Sequence, residues 1–164
     1  MNSIGSLKRS VAAFEASVFS HATEDEGKVE QALKNTIPPE VEKMKMNCRR
    51  LSGHYKDPLT IMTAKVTRSK DASLVLKTMI QALSSIDRLR VLDEIEDRTD
   101  ETGNLYLRLD KQKAFQEVLT FNDMDSIRVK FSFKIPRGSD SVEYIRSVIK
   151  GFMDEGADVE EERL

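Results

Sequence analysis

The sequence contains one cysteine, two histidines, no tryptophan and only 6% aromatic residues. A lone Cys48 excludes an internal disulfide framework and any cysteine-based metal cage within one chain; it reads as a small buried hydrophobe. With aromatics this scarce, the core must rely on Leu, Ile, Val and the seven methionines. No apolar run approaches the length of a membrane span, and the N-terminal MNSIGSLKRS lacks the apolar block of a signal peptide. A soluble, cytoplasmic protein with no membrane partner is the expectation.

Catalytic signatures are missing as well. His21 and His54 are separated by a helix and a strand, and neither has a sequence neighbour at metal-ligand spacing. No Gly-rich phosphate loop follows a strand, and no Gly-x-Ser-x-Gly elbow occurs. Asp93, Glu94, Glu96 and Asp97 read more simply as a solvated helix face than as a metal site. The chain is expected not to be an enzyme, with no cofactor and no metal.

What is present is globular composition: 39% apolar and 33% charged residues over 164 positions, enough for one domain with a continuous core. The formal net charge of −2 hides an uneven distribution. The last eleven residues, DEGADVEEERL, hold six acids and one Arg, so that without them 25 cations face 22 acids. Residues 41–70 carry eight Lys or Arg against Glu42 and Asp57. A domain over 1–153 is expected, followed by an acidic tail, 154–164, with no apolar period and no expected order.

Alternation dominates the pattern along the chain. SVAAFEASVFSHA reads as a strand with Phe14, Ala16 and Val18 on one face. Thr23 to Glu26 reads as a capping box opening a helix with Val29, Ala32, Leu33 and Ile37 inward, ended by Pro38-Pro39. EKMKMNCRR and LTIMTAKVTR form a hairpin across LSGHYKDP, with Met44, Met46 and Cys48, then Met62, Ala64 and Val66, facing inward. Two helices follow, the second capped by Ser84 with Asp87 at the third helical position and ending near Asp97. NLYLRLD is a fourth strand, Asp110 caps a short helix, and IRVKFSFKI is a fifth strand. Asp140 and Glu143 cap the last helix, with Val142, Ile145, Ile149 and Phe152 inward. This β-α-β-β-α-α-β-α-β-α order implies an α+β two-layer sandwich: an antiparallel or mixed sheet with helices on one face and the other face open.

If the apolar positions face the helices, register places Lys43, Lys45, Arg49, Lys65, Arg108, Arg128, Lys130 and Lys134 on the opposite face with Tyr106, Thr63 and Thr67. Cations attract a phosphate backbone through counterion release, and an aromatic can stack a base. Two other readings compete: a solvated face whose cations discourage edge-to-edge aggregation, and a docking surface for an acidic partner protein. Strand order, which decides whether the cations are contiguous, is not legible here.

The segments ATEDEGKVEQAL, GHYKDPLTIMTA, GNLYLRLDKQKAF and IRVKFSF, in this order, resemble an archaeal family of small RNA-binding proteins described as predicted exosome subunits. The resemblance covers about residues 8–150. It implies a fold like that of ribosomal protein L5, a homodimer, and RNA or the subunits of an RNA-processing complex as partners. Positions matching its motifs are Thr23, Glu24, Asp25, Gly53, His54, Tyr55, Pro58, Arg108, Asp110, Lys111 and Gln112. Caps and turns account for Thr23, Asp110, Gly53 and Pro58. Arg108, Lys111 and Gln112 are the better binding candidates, joined by His54, Tyr55 and Lys56 in the hairpin turn. The expected function is RNA binding without catalysis; the alternative is a dimeric assembly factor that contacts protein and not RNA.

Overall fold

The computed structural model describes residues 7–52 and 58–162. Five strands form one antiparallel sheet: β1 (Val11–Ser20), β2 (Lys45–Ser52), β3 (Pro58–Val66), β4 (Asn104–Asp110) and β5 (Ser126–Phe133), in the spatial order β2-β3-β1-β5-β4. Among the described residues six helices accompany them: α1 (Glu26–Lys34), α2 (Ser69–Ala82), α3 (Ser85–Asp93), α4 (Ile95–Arg98), α5 (Lys111–Phe115) and α6 (Ser141–Glu162). No described helix is long and apolar enough to cross a membrane.

The period-2 pattern sorts the strands as expected. Phe14, Ala16 and Val18 of β1 are buried, as are Met62, Ala64 and Val66 of β3, Leu105, Leu107 and Leu109 of β4, and Ile127, Val129 and Phe131 of β5. Register carries this alternation straight across the sheet, since Ala64, Ala16, Val129 and Leu107 are successive cross-strand neighbours. Helix α2 lies along β1, α1 covers β1 and β3, and α6 packs on α2, so one face of the sheet meets Leu76, Met79, Ile80, Ile145, Ile149 and Phe152. Phe14 and Phe131 touch at the centre with ring centroids 5.2 Å apart. Ser73 of α2 ties the layers together, its buried hydroxyl accepting the Val11 N–H at 3.0 Å. A register shift between Val11 and Ala13 explains why both Val11 and Phe14, three residues apart, face the core.

Several local expectations hold. Ser84 accepts the Asp87 N–H, Asp110 the Lys113 N–H and Asp140 the Glu143 N–H, each an orphan donor of a first helical turn. Others need correction. Helix α1 is capped by Asp25, which accepts the N–H groups of Gly27 and Lys28, while Glu24 turns back to accept the His21 N–H. Thr23 is not the cap. The helix ends at Lys34, before the prolines, where Asn35 donates to the Ala114 and Phe115 carbonyls. The segment after Ser84 breaks at Glu94 into α3 and α4. Cys48 is exposed, because β2 is the outer strand of a sheet whose helical cover is centred on β1. Helix α6 runs from Ser141 through Glu162.

Gly103 leads into β4 at φ +87°, and a Cβ there would meet Ile135 at 2.7 Å. Glycine is required by both conformation and space.

Candidate nucleic-acid interface

The outward residues of the five strands fall into rows that cross the sheet. Lys45, Lys65, Glu15, Lys130 and Tyr106 are successive neighbours in one row, read from β2 to β4. Two positions along, Asn47, Thr63, Ser17, Arg128 and Arg108 form the next. A third begins with Arg49, Ile61 and Phe19. At about 4.8 Å between strands, each full row spans roughly 19 Å.

Strand order is what makes these cations one surface. Arg108 lies directly opposite Arg128, and Lys45 directly opposite Lys65. Like charges so placed destabilise an antiparallel pair. None of Lys45, Arg49, Lys65, Arg108, Arg128 and Lys130 forms an ion pair with a described residue; Glu15 flanks Lys65 and Lys130, but the repulsion between Arg108 and Arg128 has no acid in its row to offset it. A polyanion laid across the rows would remove it.

Aromatic groups accompany the cations. Tyr106 is 44% exposed and its hydroxyl donates to Asp100 Oδ2 at 2.8 Å; that hydrogen bond is the main cause of a raised phenol pKa. Burial works against ionisation of Asp100, but hydrogen bonds from Asn104, Tyr106 and Thr102 outweigh it and hold this carboxyl well below the usual carboxylate range. The ring of Phe19 lies under the Arg128 guanidinium, 5.5 Å from its carbon to the ring centroid, which limits where that long side chain can point. The sequence reading missed Phe19 and Glu15. Both share the parity of Ser17 on β1, and parity was the signal that could have found them.

Seven of the candidates thus stand together on the open face: Lys45, Arg49, Lys65, Tyr106, Arg108, Arg128 and Lys130. Lys43, just before β2, and Lys134, just after β5, are exposed at its margins. His54, Tyr55 and Lys56 lie outside the described residues. Gln112 is exposed on α5 and shares a depression with Glu24, Asp25 and Lys28 on the helical side, apart from the cation rows.

Lys111 lies apart from the cation rows, on the helical side with Gln112. It is 6% exposed, and its ammonium donates to the Phe19 carbonyl and Glu24 Oε1, both at 2.9 Å, and lies 3.0 Å from Asp125 Oδ2. A buried ammonium needs such partners; Lys111 therefore fastens the start of α5 to the ends of β1 and β5. His21 joins the cluster, its Nε2 3.2 Å from Asp125 Oδ1. His21, Glu24 and Asp125 could bring three ligand atoms within 4.8 Å of one another, a grouping not apparent from sequence spacing, but Lys111 already supplies the cation between the two carboxylates.

Asp125 carries a positive φ of 46°, a conformation that Asp and Asn tolerate better than other side chains. Burial disfavours its charged form, yet hydrogen bonds from Lys111 and His21 prevail and its pKa is lowered. A carboxyl depressed on folding contributes stability that is present above its unfolded value, here near 3.8, and that disappears as the pH falls through the lower folded value. Asp125→Asn should therefore remove part of the loss of stability expected below about pH 4, measured as thermal midpoints across an acid series. An unchanged acid profile would mean that the pairing contributes nothing.

A family model described as RNA binding matches residues 14–133, from Phe14 on β1 to Phe133 at the end of β5. The chain belongs to this family. The match takes in β1 from Phe14 onward and all of β2 to β5, and stops before α6, so the family region contains every residue of the cation rows. The RNA-binding protein PAB1135 of Pyrococcus abyssi is 33% identical over 119 residues, 71% of this chain and 77% of that protein. Among solved structures, protein AF2318 of Archaeoglobus fulgidus, of the DUF54 family, superposes with a TM-score of 0.71 at 26% identity, covering 84% of this chain and 99% of that one. The DUF54 protein Mth689 of Methanothermobacter thermautotrophicus gives 0.69 at 29% identity, covering 85% and 98%. These neighbours share the open antiparallel sheet with its helical cover.

Proposed function

We propose that this chain binds RNA through the outer face of its sheet, without catalysing a reaction on it. The observation that carries the reading is the register: it brings cations from four strands into adjacent rows, unpaired by any described acid. The family description and the name of the Pyrococcus abyssi relative support RNA as the polyanion. An open sheet with exposed Tyr106 and a half-buried Phe19 beneath Arg128 suits unpaired nucleotides, whose bases can stack, better than a duplex whose bases are occupied. Work as a homodimeric accessory subunit of an exosome-like RNA-processing complex is the finer proposal, and it rests on the family resemblance alone.

Ultraviolet cross-linking to single-stranded RNA, followed by peptide mass spectrometry, is expected to attach nucleotide to peptides of β1, β4 and β5, with Tyr106 and Phe19 as the reactive residues. Adducts confined to α2, α3 or α6 would reject this surface. An RNA-free partner protein retained on the face after nuclease treatment would favour the assembly-factor reading instead.

A further inference from the structure

We infer that the depression over β1, β5 and β4 receives one unpaired base of the bound strand, and that guanine is the base it selects. The inference rests on the RNA-binding reading and adds a base preference to it. The depression has a volume of about 370 Å³ and is lined by Glu15, Ser17, Tyr106, Arg108, Arg128 and Lys130. Five of these offer what any nucleotide needs: cations and a hydroxyl for phosphate and sugar, and an aromatic ring for stacking.

Glu15 is the exception. It is the one acid in the two full rows, half-buried on the central strand, with Lys65 and Lys130 as its neighbours on either side. Even so, its carboxylate makes no hydrogen bond or ion pair with any described residue. A carboxylate repels phosphate, so the backbone must pass to either side of it, where the Arg108 and Arg128 pair stands in the adjoining row. What it can meet favourably is a donor edge, because an ionised carboxylate only accepts hydrogen bonds.

Among the four bases, guanine presents two parallel donors, N1–H and the N2 amino group, which match the two oxygens of a carboxylate. Adenine and cytosine each present one amino group, and uracil one imino N–H. Tyr106 is placed two strands from Glu15 in the same row, about 10 Å away along the sheet, and its ring is held by the hydroxyl contact to Asp100. A base stacked on Tyr106 can therefore turn its Watson–Crick edge toward Glu15.

The test uses the full chain and three labelled single-stranded probes read by fluorescence anisotropy: oligouridine, the same strand with one central guanosine, and the same strand with inosine there. Inosine keeps N1–H and lacks the amino group. The guanosine probe should bind about tenfold more tightly than oligouridine, with inosine in between. Glu15→Gln should abolish the preference while binding oligouridine at least as well, since it also removes a repulsive charge. Glu15→Ala provides a second variant if the first fails to fold, and the three-probe comparison on the unaltered chain needs no variant. Equal affinity for all three probes, or a preference that survives both substitutions, would overturn the inference and leave RNA binding standing. Failure to bind any of the probes would overturn both.

Discussion

Replacing Arg128 and Lys130 together by glutamate should weaken binding of single-stranded RNA about a hundredfold while the protein stays folded. The two positions sit in successive rows at the centre of the open face, one strand from Glu15 and Ser17 and one strand from Tyr106 and Arg108. Reversal there removes two attractive contacts and adds two repulsive ones along the path of the backbone. Neither residue is ion-paired with a described acid, so the folded state loses no salt bridge. Arg128→Glu turns the opposed Arg108 and Arg128 into an attractive pair, while Lys130→Glu sets a second carboxylate opposite Glu15 and Arg128→Glu gives up the contact with the Phe19 ring, so the opposing effects should leave the melting temperature little changed. Affinity by anisotropy and thermal melts on the same samples separate the two effects. A small loss of affinity, or a loss accompanied by unfolding, would count against the face.

Lys111→Met should have the opposite profile. Its ammonium is enclosed by the Phe19 carbonyl, Glu24 and Asp125, and an apolar replacement leaves two carboxylates facing each other. Breaking a buried pair by removing one partner costs about 3–5 kcal/mol. Both carboxylates are partly exposed, which places the expected loss at about 3 kcal/mol, or on the order of 8 °C in melting temperature for a chain of this size. Affinity of the folded protein should fall far less than on reversal of Arg128 and Lys130. A Lys111 variant that folds normally and loses RNA would return this residue to the binding surface, where the sequence motif alone would put it.

Lys111 also shows where sequence reading stops. Its neighbours in the motif, Arg108 and Asp110, behave as the pattern suggests, one outward and one a cap. Its own role depends on Glu24 and Asp125, which are distant along the chain and meet it only because β1 and β5 pair. Burial of a lysine cannot be read from local spacing. The alternating strands were legible because a two-residue period has a single geometric meaning, and the caps at Ser84, Asp110 and Asp140 were legible because capping is local. Thr23 and Asp25 compete for the same cap within three residues, and Asp25 takes it. The exposure of Cys48 and the contiguity of the cation rows both depend on strand order, with β2 outermost and β1 central. Alternation predicts which side a residue takes and says nothing of its neighbours across the sheet.

The most direct test of the central claim is the salt dependence of RNA affinity, compared between the unaltered chain and a variant with Arg108, Arg128 and Lys130 replaced by alanine. The account predicts a steep linear fall of log affinity with log salt, shallower in the variant by about 0.7 for each cation removed. An affinity indifferent to salt, or equal slopes in the two proteins, would contradict it.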